Sequence, residues 1–316
     1  MPRLLIYNPE TDYALASGSA NYTPPRSIMK MRADNALLPL AYARTDDAIL
    51  LLDRTDVGVC SIPVLNPDDP ADWSRYTASP WGWNHQIARF LTVHCPGIKG
   101  IPSIDTINTI RELSHRRTTI QFLRQINTPE IELPAEYVST EEALTRYDRG
   151  RTLFFKAPWS SSGRGILYTA DTDRIQTEQW LRGTIRTQGS VMAEPAYQKI
   201  MDCATEWQID KGKVRFLGVS VFEASTRGKY HRNIQDKQAV LWDRIPGMNT
   251  QLIESQRMAI QNVLTDGYEG PLGIDMLVTS QGIIHPCVEI NLRNTMGSIL
   301  IHPEDRSLVA KFPMLF

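Results

Sequence analysis

The feature that most constrains this chain lies near its end. Two short apolar runs, Gly273-Ile274-Asp275-Met276-Leu277-Val278 and Ile283 to Arg293, are joined by Ser280-Gln281-Gly282. Apolar runs of that length around a glycine-containing turn predict a β-hairpin. Side chains two apart on a strand share a face, so Glu289, Asn291 and Arg293 project together and Asp275 on the neighbouring strand lies opposite them. The product is a patch of hard oxygens beside one guanidinium. Two carboxylates and an amide oxygen suit Mg²⁺, which prefers oxygen ligands and completes its shell with water and nucleotide phosphate. The competing reading of either carboxylate alone is an exposed charge on an ordinary hairpin.

The chain's 316 residues accommodate about two domains with cores of their own. Its 34 basic and 35 acidic residues leave a net charge of -1, which excludes a global electrostatic case for nucleic acid or an anionic membrane as partner. Anion binding must therefore be local. The run Leu4 to Tyr7 is too short for a secretory signal, and no stretch approaches the roughly 20 apolar residues of a membrane span, so a cytoplasmic protein is expected. Cys60, Cys95, Cys203 and Cys287 form no close pair, which argues for reduced thiols over a zinc knuckle or disulfide framework.

From the start of the chain, Leu4 to Tyr7 reads as a buried strand, Ser27 to Ala43 has apolar residues at helical spacing, and Ala48 to Leu52 reads as a second buried strand. Strand, helix and strand predict an open α/β layer. Glu10 and Asp12, in the turn after the first strand, are either substrate contacts or helix-capping acids. Trp81 and Trp83 either stack on a base or sugar or pack a domain boundary. Further helices are predicted over 105–113, from Ser114 to about Ile126, and from the capping box Ser139-Thr140-Glu141-Glu142 to about Tyr147.

A second chemical element is Leu153-Phe154-Phe155-Lys156-Ala157-Pro158-Trp159-Ser160-Ser161-Ser162-Gly163-Arg164-Gly165-Ile166. An apolar strand delivers a lysine, a loop of small hydroxyls and glycines follows, and Ile166 to Tyr168 resumes as the partner strand. Backbone N–H groups in such a loop can close over phosphates, with Lys156 as a point charge. No helix-opening Gly-Lys-Ser/Thr is present, so this is not a Walker sequence. Between the two elements, Ser190 to Tyr197 reads as a strand leaving into an extended linker, where Glu194 and backbone groups are able to hydrogen-bond an adenine edge. Glu206-Trp207-Gln208-Ile209-Asp210 alternates as a strand that pairs with Phe216 to Phe222 across Lys211-Gly212-Lys213.

In this order the parts resemble the ATP-grasp family over about residues 100–302. Lys156-Ala157-Pro158 with its Ser/Gly loop, Glu194-Pro195-Ala196-Tyr197, and Gly273-Ile274-Asp275 followed by Glu289-Ile290-Asn291-Leu292-Arg293 carry the resemblance. It implies an α/β (α+β) chain with an N-terminal open α/β domain over 1–113, a small lid subdomain over 114–190 and a C-terminal antiparallel-sheet subdomain over 191–316. It further implies that Lys156 is the nucleotide-phosphate lysine and that Ser160, Ser161, Ser162, Gly163 and Gly165 belong to the phosphate loop. Glu194, Pro195, Ala196 and Tyr197 become the adenine hinge, and Glu206 falls near a nucleotide-binding carboxylate. Asp275, Glu289 and Asn291 resemble the magnesium ligands, and Arg293 the arginine that steadies the transferred phosphate. Where many members carry a lysine, at the start of the helix from Ser114, this chain has Arg116-Arg117; Arg116 would hold phosphate bidentately.

The implied activity is ligation with ATP and Mg²⁺, or Mn²⁺ in its place, in which a small carboxylate substrate, amino-acid or peptide-like, is activated for capture by an amine or similar nucleophile. The basic loop Ser225 to Asn233 adds Arg227, Lys229, His231 and Arg232, with Arg232 expected on substrate carboxylate or γ-phosphate unless the loop is simply solvated. A phosphotransferase and a nucleotide-binding module without catalysis are the other two classes open to such a chain, and a homodimer is compatible with it.

Overall fold

In a computed structural model of the chain, the described residues are 1–53, 57, 58, 60–160, 163, 165–225 and 230–301. They divide into two units, one built on Met1–Glu112 and one on Leu113–Ser298.

The first unit begins with strand β1 (Arg3–Ile6), followed by helices α1 (Thr11–Ser17) and α2 (Arg26–Asp34), strands β2 (Ala48–Leu50), β3 (Val64–Leu65) and β4 (Thr77–Pro80), then helices α3 (His85–His94) and α4 (Ile104–Leu113). The strands form one parallel sheet in the order β3-β2-β1-β4. A parallel sheet is covered on both faces, and β1 accordingly buries consecutive residues. Leu4 and Ile6 pack with Leu50, Ile87 and Leu91 on one face, and Leu5 packs with Ile49 and Leu51 on the other.

The helix expected over 27–43 is interrupted, because Pro39 has no N–H to donate, and Leu38–Tyr42 is a 3₁₀ turn. Glu10 makes no side-chain cap on α1; it is fully buried and pairs with Arg32 at 2.5 Å. Trp81 is buried edge-on against Tyr7 at 5.2 Å between ring centroids, and Trp83 packs on the unit's own core. Both indoles are therefore packing residues of this unit.

The second unit runs through α5 (Thr118–Ile126), β5 (Ala135–Tyr137), α6 (Thr140–Tyr147), β6 (Leu153–Lys156), β7 (Ile166–Tyr168), α7 (Arg174–Gln188) and β8 (Val191–Pro195). It continues with β9 (Lys199–Asp210), β10 (Lys213–Ala224), β11 (Tyr230–Ile234), α8 (Gln238–Arg244), α9 (Thr250–Val263), β12 (Gly270–Thr279) and β13 (Ile284–Asn291), and α10 (Met296–Ile301) follows. Two antiparallel sheets result. The smaller has the order β5-β8-β6-β7 and the larger the order β11-β10-β9-β12-β13.

Period-two alternation gives each sheet a packed face and an open face. In the smaller sheet, Leu153, Phe155, Leu167, Val191 and Ala193 join Leu144 of α6 and Leu181 of α7 in one core. In the larger sheet, Cys203, Val219, Val221, Met276 and Val278 pack on Leu241 of α8, and α9 lies against the same face. Fully buried Trp207 meets Phe216 edge-on at 5.1 Å.

A polar strut crosses this second core. Gln256 of α9 is fully buried, accepts from Thr205 Oγ1 at 3.0 Å and donates to the Pro286 carbonyl at 2.8 Å, so one side chain ties β9 to β13 from behind. Gln256→Met keeps the length of the side chain and deletes both bonds, leaving a buried hydroxyl and carbonyl unpaired. The expected cost is about 3 kcal/mol, read as a lower urea midpoint at unchanged slope; an unchanged midpoint would show the strut to be dispensable.

Candidate functional site

The open faces of the two sheets in the second unit bound a cavity of about 510 Å³. Phe155 of β6 enters the core of the smaller sheet, so its neighbours Phe154 and Lys156 are left on the cavity side. β7 behaves alike, with Leu167 inward and Ile166 and Tyr168 lining the cavity. Phe154 and Tyr168 face each other across the ladder with ring centroids 4.8 Å apart, in stacked geometry. From the larger sheet, Asp275 of β12 and Glu289 of β13 enter the same space.

The hairpin register sets Asp275 directly opposite Glu289 and Gly273 opposite Asn291. Burial pushes the Asp275 carboxyl well above the usual carboxylate range, and the facing charges of Glu289 and Glu206 push it further; Arg293 and a hydrogen bond from Asn291 oppose the rise. Arg293 donates through Nη2 to Asn291 Oδ1 at 2.8 Å and through Nη1 to the Asn294 carbonyl at 3.1 Å. Among the described residues no three His, Cys, Asp or Glu side chains form a ready-made metal cluster. Two facing carboxylates and an amide oxygen fit Mg²⁺ nonetheless, since that ion takes only one or two protein carboxylates when phosphate and water complete its shell.

On the opposite wall, Lys156 is buried and ion-paired with Glu194 of β8. The loop after Lys156 closes on itself, Ala157 N donating to the Gly165 carbonyl at 2.8 Å. Gly165 has φ +73°, and a methyl there would lie 2.8 Å from Ser160 Cβ, so only glycine fits. Gly163 also has positive φ. Ser161 and Ser162 lie outside the described residues, as do Arg227 and Lys229.

Arg116 joins the two walls. Its Nε donates to the Ala157 carbonyl at 3.1 Å, and Nη2 donates to Ser160 Oγ at 3.1 Å and pairs with Glu289 Oε1 at 2.8 Å. Its backbone N–H is taken by the Pro158 carbonyl, and the helix expected from Ser114 begins only at Thr118.

Glu194, Pro195, Ala196 and Tyr197 all line the cavity. The Tyr197 hydroxyl accepts from Glu132 N at 2.8 Å, and its ring meets His285 edge-on at 5.6 Å. His285 is a cavity residue that the sequence reading passed over. Burial holds its imidazole neutral, down to about 4, while Glu194 works against that shift and Lys156 with it. A histidine inside an otherwise apolar strand run was the available signal. Asp202 was also missed; it lines the cavity and pairs with Lys199 at 2.5 Å.

Of the predicted residues, Asn291, Arg293, Ser160, Gly163 and Gly165 do not line the cavity, and neither do Arg232 and Glu206. Arg232, on the edge strand β11, is exposed and pairs with Glu223 at 2.8 Å; Glu223 alternates with Phe222 and Ala224, which do line the cavity, so the pair points away. Glu206 is on the expected face of β9 but is 1% exposed and beneath the cavity, while Asp202, four residues earlier on the same face, reaches it.

No family model and no curated protein matches the sequence. Solved structures do. A biotin carboxylase–β,γ-ATP complex from Campylobacter jejuni aligns with TM-score 0.56 at 18% identity, over 100% of this chain and 69% of that one. The biotin carboxylase domain dimer of 2-oxoglutarate carboxylase from Hydrogenobacter thermophilus, in complex with MgADP, ADP and bicarbonate, aligns with TM-score 0.54 at 12% identity, over 84% and 62%. D-alanyl-alanine synthetase A from Vibrio cholerae aligns with TM-score 0.50 at 14% identity, over 98% and 94%. At such identities the likeness is one of fold.

Glu206 supplies a measurable consequence of this electrostatic arrangement. Burial raises its pKa to about 7 from the ordinary 4.5, against the lowering effect of hydrogen bonds from Thr295 and Ser220. The native state therefore holds this proton more tightly than the unfolded chain, and stability falls as pH rises from 4.5 through 7. The contribution is on the order of 3 kcal/mol. Glu206→Gln, neutral at every pH, is expected to flatten that part of a stability-versus-pH curve measured by urea unfolding; an unchanged slope would assign it elsewhere.

Proposed function

We propose that this chain, which has the ATP-grasp fold of the three structures just described, is an ATP- and Mg²⁺-dependent ligase acting on a small carboxylate substrate. The observation that carries the reading is the facing of Lys156 and Asp275 with Glu289 across one cavity of nucleotide dimensions. Bound MgATP would supply the phosphoryl group that converts a carboxylate into an acyl phosphate with loss of ADP, so that an amine can form the amide as phosphate leaves.

The chain's own residues divide that work. Phe154, Tyr168 and Val288 offer apolar surface to a flat base beside Glu194 to Tyr197. Lys156 and Arg116 bring cationic donors to the phosphate side of the cavity, the first as a point charge and the second as a fork. Asp275 and Glu289, with Asn291, would hold the divalent ion. Arg293, fixed by Asn291 and Asn294, supplies a guanidinium beside those oxygens, where charge develops on the transferred group. Walls on both sides keep water from an activated carboxyl.

The test is ADP release measured over a panel of amino acids and small carboxylates, with and without an amine. Amine-dependent amide formation is expected; a phosphorylated product that accumulates and is never joined to an amine would make the chain a phosphotransferase. Asp275→Asn and Glu289→Gln are each expected to lower ADP release by about 100-fold or more at saturating nucleotide. Lys156→Met is expected chiefly to weaken nucleotide binding, read by calorimetry. Variants that keep both turnover and metal dependence would remove catalysis from this cavity.

A further inference from the structure

We infer that Glu206 is a positioning residue: a buried carboxylate that grips the turn after β13 and thereby sets Arg293 and Asn291 beneath the cavity. This rests on the function proposed above only for the role of Arg293; the grip itself is a matter of packing and hydrogen bonding.

The slot that holds Glu206 is made of glycines. On β9 it sits across from Gly218 of β10 on one side and Gly273 of β12 on the other, so neither neighbouring strand places a side chain over it. A methyl on Gly273 would stand 2.9 Å from Glu206 Oε2 and 2.7 Å from Thr295 Cγ2, and a methyl on Gly297 would collide with Glu206 Oε1 and Ser220 Oγ. The carboxylate thus occupies space that only glycine can leave.

Both oxygens are used. Thr295 Oγ1 donates to Oε2 at 2.8 Å and Ser220 Oγ donates to Oε1 at 3.0 Å. The threonine hydroxyl has a second task, since it accepts from Ser298 N at 2.9 Å, while Ser298 Oγ donates to the Thr295 carbonyl at 2.9 Å and accepts from Thr295 N at 3.0 Å. The turn is therefore closed on itself and then fastened, through one hydroxyl, to β9.

Arg293 stands two residues before that fastening point. Its guanidinium is aimed by Asn291 Oδ1 and the Asn294 carbonyl, both on the same stretch of backbone, so a shift of the turn carries the guanidinium with it. A buried carboxylate is a costly anchor, and an apolar side chain would fill the volume more cheaply. What hydrocarbon cannot do is accept from Thr295 and Ser220 in fixed directions, which specifies where the turn lies.

The experiment compares E206A, E206Q and T295V with the parent chain by backbone hydrogen exchange over 292–298 and by ADP release. Gln can accept from Thr295 through its carbonyl and donate to Ser220, whose hydroxyl accepts equally well. Expected results are loss of protection by ~10-fold or more in E206A and a smaller loss in T295V. In E206A, kcat is expected to fall by about 100-fold with KM for nucleotide little changed, and E206Q to restore most of both signals. T295V decides the matter where E206A fails to fold, because it removes the fastening hydroxyl and leaves the carboxylate.

Unchanged protection at 295–298 in E206A, or in T295V where E206A does not fold, overturns the inference whatever the turnover. So does an E206Q chain as impaired as E206A. Should the parent chain neither bind nor consume ATP, the proposed function fails by itself, and the exchange comparison still decides the anchor.

Discussion

The Asp275 carboxyl, buried and set directly across an antiparallel ladder from Glu289, resists ionisation. The placement of Asp275 against Glu289 is the constraint to which the rest of the second unit answers. The hairpin cannot relieve it by sliding, because a one-residue slip would send Ile274 and Ile290 into the cavity and both acids into the core. Around it the chain arranges partial compensation, with Arg116 on Glu289 and with Arg293 and Asn291 beside Asp275. The residual imbalance is what a divalent cation would remove.

Strand alternation converts this local arrangement into a cavity. In the smaller sheet Phe155, Leu167 and Ala193 are committed to α6 and α7, which leaves Phe154, Lys156, Tyr168 and Glu194 on the opposite face with no choice of side. In the larger sheet Gln256 ties β9 to β13 from behind and Glu206 ties β9 to the turn after β13 from in front. The strands that bear Asp202, Asp275 and Glu289 are thereby held from both faces. Arg116 then spans from the glycine loop to Glu289, so that the two walls of the cavity share one guanidinium.

Much of this was legible in the sequence, for reasons that are local. Period-two alternation and a glycine turn predict the hairpin of β12 and β13 and put Asp275 opposite Glu289; Ser139 accepts from Glu142 N at 3.3 Å as its capping pattern requires; and Lys211-Gly212 makes the turn between β9 and β10. Each of these is decided by a few neighbouring residues. Glu206 and Arg232 show the limit. Alternation places Glu206 on the correct face of β9, yet whether a residue on that face reaches the cavity or lies beneath it depends on Gly218, Gly273 and Gly297, three positions far apart in the chain. Arg232 carries the charge expected of a substrate contact, but its strand pairs so that it meets Glu223 instead.

By itself, then, the amino-acid order determined most of the elements and the faces of their strands, because spacing along a regular strand dictates direction. Tertiary structure alone decided depth and partnership: that Asp202 lines the cavity and Glu206 does not, that His285 sits under Tyr197, and that Arg116 bridges the walls. Depth is set by what neighbouring strands and loops stack above a residue, and no periodicity within one segment records that.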